Sequence, residues 1–350
     1  MPRHRVFVLA SVLLLAAGCS SRQPVTTAPL ARAQATADTG VVLLEDFTGR
    51  QVFPADNAWN LDVSGAPVDA NSQAYIDWIS GRTGGNTTAV RHLHPDFGPP
   101  PYGIPHVGVS GAQALAPVTF VDYPGESDAG APGRPPGYPI PEQAKTAPHY
   151  IEGDAPGGGT DGDRHLIVVD RDHWLLFETW ATRWNAGLGR WEAGSGATFD
   201  LSSDATRPDG WTSADAAGLA IFPGLVRWDE ANGSGEIPHA FRFTTRATNG
   251  RVWPASHTAG STAGAPPMGA RLRLKASVVL SGYPPEVQWI FRAMKTHGLI
   301  LADNGSDMYI TGTMDARWDN DVLNPAFAKL SADSFEVVQL GWGRPGAGVP

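Results

Sequence analysis

The sequence predicts an all-β fold: a single-domain β-sandwich of the jelly-roll kind with one accessory helix over about 284–297. Three observations carry this reading. The chain holds 41 Gly and 30 Pro among 350 residues, which favours many turns and few long helices. Short apolar runs bounded by Gly, Pro, Asn and Asp follow one another quickly after residue 164. Strong helical periodicity is confined to one stretch, PPEVQWIFRAMKTHGL.

The elements follow in order. VFPADNAWNLDVSG opens the folded part, with extended character and turn signals at DN and SG. NSQAYIDWIS predicts a short helix capped by Asn71 or Ser72 and stopped at Gly81. Residues 95–105 and 124–160 are rich in Pro and Gly and read as long loops of the kind that form functional rims. APVTFVDY between them predicts a strand. Further strands are expected over 164–170, 173–180, 196–201, 237–245 and 271–280. In the last, Leu272, Leu274 and Ala276 alternate with Arg271, Arg273 and Lys275. In the helix, Pro284 and Pro285 suit the first turn, Glu286 suits the dipole, and Gly298 suits a left-handed C-cap. Val287, Ile290, Phe291 and Met294 form its apolar stripe. LILADNGSDMYITG then predicts a hairpin turning at Asn304-Gly305.

Composition narrows the function. Net charge is −9 with no Lys/Arg cluster, so nucleic acid is excluded as a partner. There is no G-x-S-x-G elbow, P-loop, dinucleotide fingerprint or H-E-x-x-H motif, so no cofactor is called for. Twelve Trp in an acidic, turn-rich chain suit stacking on sugar rings as well as core packing. At the N-terminus, MPRHR, the apolar run VFVLASVLLL and then AAGCS resemble the lipobox of bacterial lipoproteins. That resemblance implies a signal peptide over 1–18, acylation of Cys19, a flexible tether over 19–40 and a β-rich domain over 41–345. Ser20 after the cysteine implies the outer membrane of a Gram-negative bacterium, with membrane contact through the lipid only. Cys19 is the single cysteine, so the rest of the chain holds no disulfide.

The stretch RHLIVVDRDHWLLFETW sets an imidazole and a carboxylate among aliphatic residues. A turn at Arg171-Asp172 makes His165 the cross-strand partner of Glu178. Alternation then puts Trp174, Leu176 and Trp180 on Glu178's face. A carboxylate beside indoles is partly desolvated, which tunes it for acid/base work. The alternative is a satisfied pair closing a buried ladder.

The next loop carries Asp200, Asp204, Asp209 and Asp215, with Arg207 and Trp211 between them. Turn chemistry explains Asp at such positions, but a carboxylate pair about 5–9 Å apart is also what glycoside hydrolysis uses. Glu178 with Asp200 or Asp215 is the preferred catalytic pair. RHLHPDFG alternates His92, His94 and Asp96, a metal candidate that His106 could join, and an Asp-rich loop leaves calcium open although no EF-hand loop is present. GEIPHAFRF offers Glu236, His239 and Arg242 at a strand start. RVWPASHTAG adds Trp253 and His257, and LADNGSD adds Asp303, Asn304 and Asp307.

The run WEAGSGATFDLSSDATRPDGWTSADAAGLAIFPGLVRWDE, with GEIPHAFRFTT, VWPASH, PPMGARLRLKAS and ILADNGS, resembles a family of secreted bacterial proteins across about 50–340. The resemblance implies one domain and brings no activity with it. The reading that chemistry and context favour is a surface-anchored glycoside hydrolase acting on a polysaccharide. Its catalytic candidates are Glu178, Asp200, Asp215, His165 and His239; its substrate-binding candidates are Trp174, Trp180, Trp211, Arg207 and Arg242. The alternatives are a polysaccharide lyase with His165 or His239 as base and Arg207 or Arg242 on a uronate, and a non-catalytic glycan-binding or envelope-structural lipoprotein.

Overall fold

A computed structural model describes residues 40–82, 87–128, 135–233 and 235–346. The signal peptide and Cys19 lie outside these residues, as does the tether up to Gly40. Fourteen strands among them form three sheets. The first runs β1 (Val42–Leu43), β3 (Val107–Val109), β5 (Leu166–Asp170), β6 (Leu175–Trp180), β9 (Ser195–Asp200). The second runs β14 (Phe335–Val337), β11 (Arg271–Leu274), β12 (Leu299–Asn304), β10 (Phe241–Thr245), β13 (Tyr309–Met314), β2 (His94–Gly98). The third is β4 (Val118–Phe120), β8 (Arg190–Ala193), β7 (Arg183–Asn185). The expected all-β, sandwich-like class is therefore present, with parallel pairs mixed among the antiparallel ones.

β5 reads LIVVD without polar alternation because the first sheet is covered on both faces. Leu166, Val168 and Phe177 point to a core shared with Phe120, Tyr138 and Trp191. Ile167, Val169, Leu176, Ala197 and Phe199 point the other way, into the main core with Phe241, Phe243, Leu301 and Ile310 of the second sheet. Each such side chain, fully buried, contributes about 1.5–3 kcal/mol. Helix Pro285–Thr296 packs on β11, and its buried residues include the predicted stripe Val287, Ile290, Phe291 and Met294. Gly298 follows at φ +80°, and a Cβ there would stand 2.4 Å from the Leu272 carbonyl, so glycine is required. No helix among the described residues is long and apolar enough to cross a membrane.

Several expectations are corrected. The β5–β6 turn spans Arg171 to Trp174, since Asp170 pairs with Leu175. Asp170 Oδ1 accepts the N–H groups of Asp172 and His173 at 3.0 Å each, and Trp174 takes φ +55°, which enlarges the turn. The register consequently moves by two: Glu178 faces Ile167, and His165 keeps Glu178's face without being its partner. β11 ends at Leu274, and Arg271 and Arg273 are buried too, donating to the Ala58 and Val63 carbonyls among others. Helix Ser72–Ser80 does end at Gly81, but neither Asn71 nor Ser72 caps it; Ser72 Oγ accepts from Val337 N instead. The stretch 95–105 contains most of β2. β12 and β13 do not form a hairpin, because β10 lies between them and the Asn304-Gly305 connection wraps its end. Helix Asn320–Phe327, packed on β2, has no counterpart in the sequence reading.

Candidate active site

One face of the second sheet gathers polar residues from four adjacent strands. Thr244 on β10 is level with Asp303 on β12 and Tyr309 on β13, and Tyr309 is level with His94 on β2. Two residues away on β10, Arg242 donates from Nη1 to Thr311 Oγ1 at 2.7 Å, and Thr311 is level with Asp96. Asp303 joins this face because of a β-bulge. The β10–β12 register jumps from Phe243↔Leu301 to Thr244↔Asp303, skipping Ala302. Without that extra residue Asp303 would point to the opposite face.

Arg242 is the hub. Its Nε and Nη2 donate to both oxygens of Asp215 at 3.1 and 2.9 Å, and Nη2 lies 3.9 Å from Asp303 Oδ2. Asp215 and Arg242 are both buried. The Asp303 side chain is 26% exposed. Burial first, then the Asp215 charge, push the Asp303 carboxyl up to about 7 against the opposing pull of Arg242.

From the first sheet His165 approaches the same charges. Glu152 Oε2 accepts from His165 Nδ1 at 2.6 Å and from its backbone N–H at 3.2 Å, and Nε2 lies 3.1 Å from the Ala214 carbonyl. A carbonyl only accepts, so both ring nitrogens carry protons when Glu152 is a carboxylate. Burial opposes this charge, but the Glu152 carboxylate outweighs it and raises the imidazole to about 9. Glu152 and Asp163 also act on Asp96, whose carboxyl is raised first by the protein crowding it and then by Glu152. Trp180, half-buried, donates from Nε1 to Asp163 at 3.2 Å and so stands at the rim of this group. The cluster is therefore Asp96, Glu152, Asp163, His165, Asp215, Arg242 and Asp303.

Of the predicted site, His165, Asp215 and Arg242 come together, with Trp180 at the edge. Glu178 feels the Asp215 and His165 charges but is sealed away from the open part of the cluster. It is 0% exposed, and its carboxylate accepts from Ile221 N at 2.8 Å and Phe222 N at 2.8 Å, the start of the short 3-10 turn Phe222–Gly224. Burial raises it to about 7 although those N–H groups pull it down. Hydrolysis through Glu178 is thereby withdrawn: the group is sealed and structural. Asp200 is exposed, pairs with Leu175 and accepts from Ser202, three residues past the Ala197 that faces Glu178, so it points to the other face. His239 is buried against Glu230 and Arg227 at 3.1 and 3.0 Å.

Trp174 lies in the turn with the Arg50 guanidinium 3.5 Å above its ring, which covers it. Arg207 is buried against Asp128 and the carbonyls of Glu126 and Thr212, and Trp211 lies 5.3 Å from its guanidinium. With Arg207 and Arg242 both engaged by carboxylates, neither is available to clamp a uronate. His94 stacks on Tyr309 at 4.5 Å, His92 bridges to Ser331, and His106 binds the Glu45 carbonyl at 3.0 Å. Among the described residues no three His, Cys, Asp or Glu come together to hold a metal. Sequence reasoning missed Glu152, on a long loop read only as a rim, and Asp163, just before the strand expected at 164.

The chain matches no protein-family model, no curated protein and no solved structure. What the cluster can do is therefore argued from its chemistry. It sets a partly open carboxyl, raised to about 7, and a second carboxylate held by an imidazolium around one buried guanidinium, groups of the kind that acid/base catalysis uses.

Proposed function

We propose that this protein is a glycan hydrolase, held at the cell envelope by lipid on Cys19, in which Asp303 is the general acid and Glu152 its partner carboxylate. The observation that carries the reading is the half-open Asp303 with its carboxyl raised to about 7 in the same electrostatic cluster as Glu152. Asp303 would protonate the glycosidic oxygen, and Glu152, oriented by His165 at 2.6 Å, would activate water. Asp215 neutralises Arg242, which limits how far that positive charge favours the ionised form of Asp303. Trp180 at the rim offers a ring for stacking, and a neutral or cationic sugar suits a cluster of this sign.

The test is a panel of polysaccharides incubated with the full chain and assayed for new reducing ends and for unsaturated, ultraviolet-absorbing products. New reducing ends that vanish in Asp303→Asn and Glu152→Gln support the proposal. Unchanged turnover in Asp303→Asn, or unsaturated products, defeats it. A non-catalytic glycan-binding role is the second reading, favoured by a separate aromatic-walled cavity; retention of a polysaccharide without any new reducing ends would select it.

A further inference from the structure

A cavity of about 310 Å³ lies beyond the loop that carries Asp215 and is lined by Gly218, Leu219 and Ala220 of that loop. Its walls are aromatic: Phe53, Trp59, Phe199 and Trp253. Phe53, Trp59 and Phe199 are buried, so these rings are fixed by the core, while Trp253 is half-buried and closes one side. The mouth is polar. Asp56 and Asp204 are exposed there with Asn57 half-buried between them, and Arg344 stands at the rim.

The volume is at the lower end for small-molecule sites, which suits one ring rather than a chain. Fixed aromatic faces suit the C–H faces of a saturated ring. The mouth offers acceptors on Asp56 and Asp204 and donors on Asn57 and Arg344, so a ligand with several hydroxyls satisfies both kinds. Asp204 is raised from its ordinary value by partial burial and then, against the hydrogen bond from Asn57, by Asp56. The two acids stand near one another at the mouth, and Arg344 at the rim offsets part of their charge. A quaternary ammonium would meet Arg344, and a uronate would meet both acids. We infer that this cavity is a binding site for one neutral pyranose residue, separate from the Asp303 cluster and independent of any hydrolysis there.

The experiment is calorimetric titration of the full chain, in wild-type and Asp303→Asn forms, with methyl glucoside, methyl galactoside and methyl N-acetylglucosaminide. Methyl glucuronide and choline serve as charged controls. One neutral pyranoside should bind with unit stoichiometry, equally well in Asp303→Asn, and at least tenfold more weakly in Trp253→Ala and in Asp204→Ala. Asp204 is exposed, so its variant leaves the fold intact even where loss of Trp253 does not. Binding kept in Asp204→Ala, binding by neither wild type nor Asp303→Asn, or preference for a charged control overturns the site. Since the readout is heat of binding, failure of the hydrolase reading leaves this result standing, and the reverse holds too.

Discussion

Glu178 and Asp303 are two carboxyls raised to the same value, about 7, by the same first cause, burial. They differ in what surrounds them. Glu178 is spent on two backbone N–H groups inside the core, and no reactant can reach it. Asp303 keeps part of its side chain open and shares its cluster with Glu152, His165 and Arg242. A perturbed carboxyl is thus no mark of chemistry until access is added to it. Asp215 shows the intermediate case, a sealed carboxylate that acts by its charge, pairing with Arg242 and raising Asp303.

The largest effect that tests this contrast is on turnover. Asp303→Asn should lower hydrolysis by about 10²–10⁴-fold, the usual contribution of a positioned acid, without lowering stability near pH 7, because it removes a carboxyl whose ionised form is disfavoured by burial. In the wild type, kcat/KM should fall as pH rises through about 7, where Asp303 loses its proton. An alkaline limb that persists unchanged in Asp303→Asn would transfer the acid to another group.

Glu178→Gln should do the reverse. The amide leaves one acceptor for Ile221 and Phe222 but turns a donor toward their N–H groups, costing about 1–3 kcal/mol by urea denaturation. Turnover per folded molecule should stay within twofold, roughly the scatter expected where no transition-state contact is lost. The pH dependence follows from the sign of the shift. Folded Glu178 holds its proton to about 7, whereas the unfolded chain releases it near the ordinary value of 4.5. The stabilisation from this group is therefore full below 4.5, falls progressively above it and is gone once pH has risen through about 7. Asp303 slopes the same way, so Glu178→Gln should flatten part of the fall in stability over that window, and Asp303→Asn another part.

The sequence made the strand-rich class, the 285–296 helix and the shared face of His165 and Glu178 legible, because alternation and end signals are local. It missed the register by two because Asp170 folds the turn around its own carboxylate, a choice between turns that the apolar pattern does not constrain. Asp303 was visible only as turn chemistry in LADNGSD. Its place in the site depends on one bulged residue, Ala302, and on β10 inserting between β12 and β13, neither of which leaves a trace in spacing. Glu152 sits on a loop whose position comes from its contact with His165, a tertiary fact.

The smallest expected effect completes the contrast. Asp200 shares with Glu178 and Asp303 only its carboxylate. It is exposed, and its Oδ1 accepts from Ser202 N and Oγ at 2.9 and 2.6 Å, which closes the turn after β9. Asparagine keeps that oxygen and serves turns equally well. Asp200→Asn should therefore move stability by no more than about 0.5 kcal/mol and leave both turnover and its pH profile unchanged. A loss of turnover in this variant would mean that substrate reaches the far face of β9, and the cleft would then have to be drawn around the first sheet, with the Asp303 cluster serving only to hold Arg242.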